Sequence, residues 1–184
     1  HFNNRSDSLP VVNYVFPQFY TTAAEEVPEI LPMLRLFDSL FGEYPFFKEK
    51  YGHAQFTWGG GMEHQTMSFM VDFSFGLMAH ELAHQWFGDK VTCGSWNDIW
   101  LNEGFATYLA SMVIENFDGE IAFVNDKSNM INFITSSTDG AVYLTDEEAS
   151  NVNRIFNSRL SYSKGAMVLN MLRFKLGDAI FFQG

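Results

Sequence analysis

Residues 78–90 read MAHELAHQWFGDK. His80 and His84 stand four positions apart; on a helix four residues advance about 400° and rise about 6 Å, so both imidazoles project from nearly one side. That spacing lets both rings address one ion. Glu81 lies about 100° round from His80, placed to reach a water on the metal rather than the metal itself. A catalytic zinc keeps three protein ligands and an open fourth position, and two histidines with one glutamate form an established set. HExxH fixes only three positions and also occurs on structural helices. The stretch NEGFATY supplies what is missing, because Glu103 follows His84 after 18 intervening residues, at the start of the next helical pattern. A carboxylate there can approach the two histidines from the side and complete the site as its third ligand.

These residues need two helices joined by a returning loop, and the pattern supplies them. Asp72 can cap a helix running to about Phe87, with Gly88 as its stop. Residues 89–99 are rich in Gly, Ser, Asn and Asp and read as the loop. A second helix follows from about Leu101 to Asn116, ended by Asp118-Gly119. Upstream, LPVVNYVFPQFY (9–20) reads as extended and edge-like, since Pro10 and Pro17 interrupt the β-formers. Ile30, Leu34, Phe37 and Phe41 form an apolar stripe within 23–42, closed by Gly42, although Pro28 and Pro32 blur where that helix begins. HAQFTW (53–58) and Thr66 to Val71 read as short strands on either side of a triple glycine. Residues 135–150 are polar and loop-rich, and a last helix spans roughly Lys164 to Leu176 before Gly177. A few strands followed mostly by helices is an α+β order.

Composition narrows the function classes. The 184 residues suit one domain of ordinary size, and 47% hydrophobic content with 20 Phe and 4 Trp is ample for a core. A formal charge of −11, from 22 acidic and 11 basic side chains, argues against nucleic acid, whose phosphates require clustered Lys and Arg. The same charge favours cationic groups such as a peptide's free amino end. Cys93 is the single cysteine, so no internal disulfide framework exists; a buried free thiol is the expectation for it. No apolar run is long enough to span a bilayer. The chain starts without Met or a signal-peptide pattern, which leads us to expect a domain cut from a larger protein and leaves localisation open.

Three motifs in order, GGGMEH (59–64), HELAH with Glu103 in WNDIWLNEGFATY, and SYSKGAMVLNML (161–172), together resemble the zinc aminopeptidases of the gluzincin clan, the family of aminopeptidase N and leukotriene hydrolase. The resemblance implies a thermolysin-like catalytic domain over residues 1–184, with one zinc held by His80, His84 and Glu103. It implies that Glu81 is the general base and that Tyr162 donates its hydroxyl to the tetrahedral oxyanion; Tyr143 and Tyr108 are weaker candidates for that donor. The segment Gly60, Gly61, Met62, Glu63 and His64 would bind substrate. Glu63 would pair with the free α-ammonium, and the two glycines would let the backbone approach the peptide. The family's N-terminal β-domain and C-terminal helical domain do not fit in this length, so the partners expected are a peptide with a free N-terminus and those missing domains.

Two positions depart from the family pattern. His64 stands where Asn is usual, which predicts altered substrate geometry; a zinc role for it is a lesser alternative. Ala110 stands where a glutamate often supports a ligating histidine, so that Asp98 or another carboxylate would have to substitute, or zinc binding would weaken. Asp98 and Asn102 are near enough in sequence to fix a histidine tautomer. Manganese or cobalt could occupy the same ligands. Two other functions remain open on these residues: a zinc-stabilised peptide-binding module without turnover, and a sister hydrolase acting on a non-peptide substrate.

Overall fold

The computed structural model describes residues 2–3 and 8–183, and the chain divides into two compact units, residues 1–90 and 91–184. In the first, β1 (Phe2–Asn3) and β2 (Ser8–Leu9) pair antiparallel. A mixed sheet then runs in the order β3 (Val11–Tyr14), β4 (Tyr51–Gln55), β6 (Ser68–Met70) and β5 (Gly61–Met62). β3 takes the sheet edge, as its flanking prolines predict. It pairs parallel with β4, Val11 opposite Tyr51, and a parallel pair needs a long crossover. That crossover contains α1 (Tyr20–Glu26) and α2 (Ile30–Phe41).

The helix expected over 23–42 is therefore two helices. A 3-10 turn at Val27–Glu29 separates them, where Pro28 brings no backbone donor. Pro32 falls in the first turn of α2, whose amide hydrogens have no intrahelical partner anyway. The stripe buries Ile30, Met33, Leu34 and Phe37, and Gly42 closes the helix at φ 85°.

α3 (Phe75–Ala83) is shorter at both ends than its pattern suggests. Asp72 accepts a hydrogen bond from the Ser74 amide at 3.0 Å, so it shapes the turn before the helix rather than capping it. The other end tightens after Ala83, with i→i−3 bonds from the amides of Gln85 and Trp86 to the carbonyls of Leu82 and Ala83, both 3.1 Å. Aromatic edges lock this end onto α2: Trp86 meets Phe37 at 5.8 Å between centroids, and Phe87 meets Phe41 at 5.4 Å.

The second unit is helical: α4 (Trp100–Phe117), α5 (Glu120–Ile134), α6 (Val152–Ile155), α7 (Gly165–Leu176) and α8 (Asp178–Phe181). A π-helical segment, Ser158–Lys164, runs directly into α7. Ala106, Leu109, Met112 and Val113 of α4 form its core with Leu160, Ala166 and Leu169. The polar stretch 135–150 is pinned by Leu144, which is fully buried with Ile99 and Ile155 and bonds through both backbone groups to Asn97. The α+β order expected from the sequence holds. Among the described residues no helix is long and apolar enough to cross a membrane.

Candidate metal centre

His80 lies in the last turn of α3 and His84 is its C-cap residue, still helical at φ −58° and ψ −25°, so the i, i+4 relation survives the early end of the helix. Their Nε2 atoms face each other at 3.1 Å. His84 Nδ1 donates to the Phe87 carbonyl at 3.1 Å, which places the proton there and leaves the Nε2 lone pair for a ligand. Two nitrogens about 2.0–2.1 Å from one tetrahedral ion would stand about 3.3–3.4 Å apart, so the pair is spaced to share one. Gly88 makes this possible: at φ 152°, any Cβ there would come within 2.9 Å of His84 Nδ1 and 3.0 Å of its carbonyl oxygen.

Glu103 is buried in the first turn of α4. One ligand atom from each of His80, His84 and Glu103 lies within 4.8 Å of the other two, so the three could hold a metal ion between them. The donor set, two imidazoles and a carboxylate, suits zinc best. His64 is not in this group; it is exposed and sets its ring edge-on to Phe69 at 4.9 Å. Asn102 accepts from the Cys93 amide at 3.0 Å and donates to Thr92 Oγ1 at 3.4 Å, tying the preceding loop to α4. Cys93 is only half-buried, with its thiol pushed up chiefly by burial.

Glu81 is buried on α3, and its carboxylate fills the space that a Cβ on Gly61 would need. A larger residue at Gly61 would therefore push the Glu81 carboxylate out of its present position. Gly60, at φ 81°, accepts from the Val71 amide at 3.0 Å and turns the chain into β5. Met62 is 39% exposed, and Glu63 is half-buried beyond it. Burial, then the Glu63 carboxylate, pushes Asp89 up to about 6.

Tyr162 sits half-buried in the π-helical segment, three residues before Gly165. Single π-turns inside helices recur at functional sites. α4 and α7 meet there almost backbone to backbone: a Cβ on Gly104 would lie 2.8 Å from the Gly165 carbonyl carbon. Glu103 and Tyr162 thus flank one crossing. The other two tyrosines are placed differently, Tyr143 being 53% exposed and Tyr108 buried against Arg173. Gln85, a fully buried polar residue between His84 and Trp86, belongs to no motif that the sequence marks. Its signal was an uncharged polar side chain in an otherwise apolar turn.

A helix bearing HExxH with a glutamate at the head of the next helix defines a mononuclear metallohydrolase type of site. The chain belongs to peptidase family M1, whose domain it matches over residues 65–184. It is 38% identical over 112 residues to endoplasmic reticulum aminopeptidase 2 of Bos taurus, covering 59% of this chain and 12% of that protein. It is 30% identical over 174 residues to probable aminopeptidase 1 of Sulfurisphaera tokodaii, covering 86% and 21%. Among solved structures, an M1 zinc metallopeptidase from Deinococcus radiodurans superposes with a TM-score of 0.75 at 28% identity, covering 99% of this chain and 40% of that one. Yeast leukotriene A4 hydrolase in complex with bestatin gives 0.77 at 28%, covering 94% and 30%. The chain thus spans well under half the length of each of these relatives.

Proposed function

We propose that this chain is the catalytic part of a larger zinc-dependent aminopeptidase that releases N-terminal residues from peptides. The observation that carries the reading is the grouping of His80, His84 and Glu103 within 4.8 Å, in a chain of family M1. Zinc held by these three residues would supply Lewis-acid polarisation of the scissile carbonyl and would acidify a bound water. Glu81 takes the proton from the attacking water and delivers it to the leaving amine. Tyr162 donates its hydroxyl to the oxyanion that forms as the carbonyl carbon becomes tetrahedral. Glu63 pairs with the substrate's α-ammonium and so rejects internal peptide segments, which carry no charge at that point. β5 is the edge strand of its sheet, so its backbone at Gly61 would take the extended peptide. Flanking domains of the parent protein complete the walls of the cleft.

Glu81→Gln tests the assignment, because it keeps the shape of the side chain and removes the base. Hydrolysis of an aminoacyl arylamide should fall about 10²–10⁴-fold while one zinc per chain is retained. Wild-type rates in the variant, or a zinc-loaded parent protein without turnover, would falsify the reading.

A further inference from the structure

Gln85 is fully buried, and each half of its amide reaches two partners. Its Oε1 accepts from the Thr66 amide at 2.8 Å and from the Tyr44 hydroxyl at 3.0 Å. Its Nε2 donates to Asp89 Oδ2 at 2.9 Å and to the Glu63 carbonyl at 3.4 Å. The Thr66 N–H can only donate, so the orientation of the amide is fixed by chemistry. Glu63 and Thr66 are i and i+3 of the bend that joins β5 to β6. In an ordinary four-residue turn that carbonyl and that amide bond to each other. Here the side chain of Gln85 stands in for both halves of the bond and holds the bend to the residue next to His84.

The bend needs holding. Thr66 adopts φ 66°, and it is the one non-glycine residue at positive φ among the described residues. For a β-branched side chain that conformation is strained and persists only where the surroundings impose it. Thr66 is buried, so its amide has no ready access to water if Gln85 is lost. Tyr44, itself fully buried and edge-on to Trp86 at 5.6 Å, fixes Gln85 from the opposite side.

We propose that Gln85 is a positioning residue for amine recognition: it sets where Glu63 stands relative to the metal-binding histidines. This rests on the aminopeptidase reading and adds to it the residue that fixes the spacing between the anchor for the substrate's amino group and the metal. Two variants separate the effect from general instability. Gln85→Leu removes all four hydrogen bonds. Gln85→Glu keeps the shape and an acceptor for Thr66 and Tyr44, but puts a carboxylate against Asp89 in place of the amide donor.

The test combines hydrogen exchange of backbone amides on the zinc-loaded chain, zinc content, and kcat and KM for an aminoacyl arylamide. In Gln85→Leu, amides of residues 63–67 should exchange at least about tenfold faster while those of 78–83 stay within about threefold. Zinc should remain at one per chain, KM should rise about tenfold, and kcat should change less than about threefold. Gln85→Glu should show the same pattern, smaller. Unchanged bend exchange and KM in either folded variant overturns the proposal, as does equal loss of protection in bend and helix. If Gln85→Leu does not fold, Gln85→Glu alone decides. A wild-type chain that turns over no arylamide in the intact parent removes the aminopeptidase reading; the exchange experiment still decides whether Gln85 holds the bend.

Discussion

Replacing Gly104 with Ala sets two calculable effects against each other. Ala favours a helix interior over Gly by about 1 kcal/mol, so sequence alone predicts stabilisation. The structure reverses the sign. The new Cβ would lie 2.8 Å from the Gly165 carbonyl carbon, 2.9 Å from its Cα and 3.2 Å from the Ala166 nitrogen, all backbone atoms that cannot rotate away. Carbon atoms pack best about 3.5–4.0 Å apart, so α4 and α7 would have to separate by roughly 0.7–1 Å. Overpacking of this kind costs about 1–3 kcal/mol, leaving a net loss of up to about 2 kcal/mol. For a chain of this size that lowers the melting midpoint by up to roughly 8 °C. Because Glu103 is the adjacent residue, zinc affinity measured against a competing chelator should also fall, by about tenfold. Gly76→Ala is the control: it lies in α3 with nothing within 4 Å of its Cβ position, so only the helix term acts and the midpoint should rise. Scanning calorimetry on both variants decides. A Gly104→Ala protein as stable as Gly76→Ala, with unchanged zinc affinity, would refute the claim that this crossing holds the ligand.

Two further outcomes are expected. Tyr162→Phe should lower kcat about 10²–10³-fold and leave KM and zinc content nearly unchanged, which steady-state kinetics on an arylamide will show; an unaltered kcat removes Tyr162 as the oxyanion donor. His53 offers a test by pH. It is fully buried in β4, Nδ1 meets Asn13 Oδ1 at 2.7 Å, Nε2 has no hydrogen-bond partner among the described residues, and burial lowers its pKa from 6.5 to about 4. The unfolded chain therefore takes up a proton near pH 6.5 that the folded chain refuses until about pH 4. Stability is full above pH 6.5 and is lost as pH falls towards about 4, a total of about 3 kcal/mol from this ring. Urea midpoints at pH 7 and 4.5 should differ less in His53→Leu than in the wild type; equal differences would exclude His53 as a source of acid lability.

The parts of the site that were legible in the sequence are those whose chemistry is carried by residue type at fixed spacing: His80, Glu81 and His84 on one helical turn, and Glu103 at the head of the next helix. The helix stripe through Ile30, Leu34 and Phe37 was legible for the same reason, since periodicity and burial coincide there. α5 was not, because Ile121, Val124, Ile131 and Phe133 stand exposed and Phe123 is its one buried residue, so no one-sided pattern marks it. The π-turn at Tyr162 left no signal, because a register change in the backbone has no residue signature. The Gly104–Gly165 contact was invisible too: a missing side chain carries no pattern, and its partner is 61 positions away.

What the sequence concealed is how the chemical groups are held, and the two units do this by different means. In residues 1–90 the support is polar. One glutamine amide fixes a strained bend, so its loss should be felt where that bend contributes, in recognition of the amino group and hence in KM. In residues 91–184 the support is steric. Two glycines let α4 and α7 touch, so adding a methyl group should be felt in stability and in the position of Glu103, hence in metal affinity. A site is only as precise as the residues that lock its ligands in place. Gln85→Leu and Gly104→Ala should therefore fail in different observables. A Gln85 variant that lost zinc while keeping KM would mean that the bend and the metal helix are not mechanically separate, and that the polar support serves the histidines first.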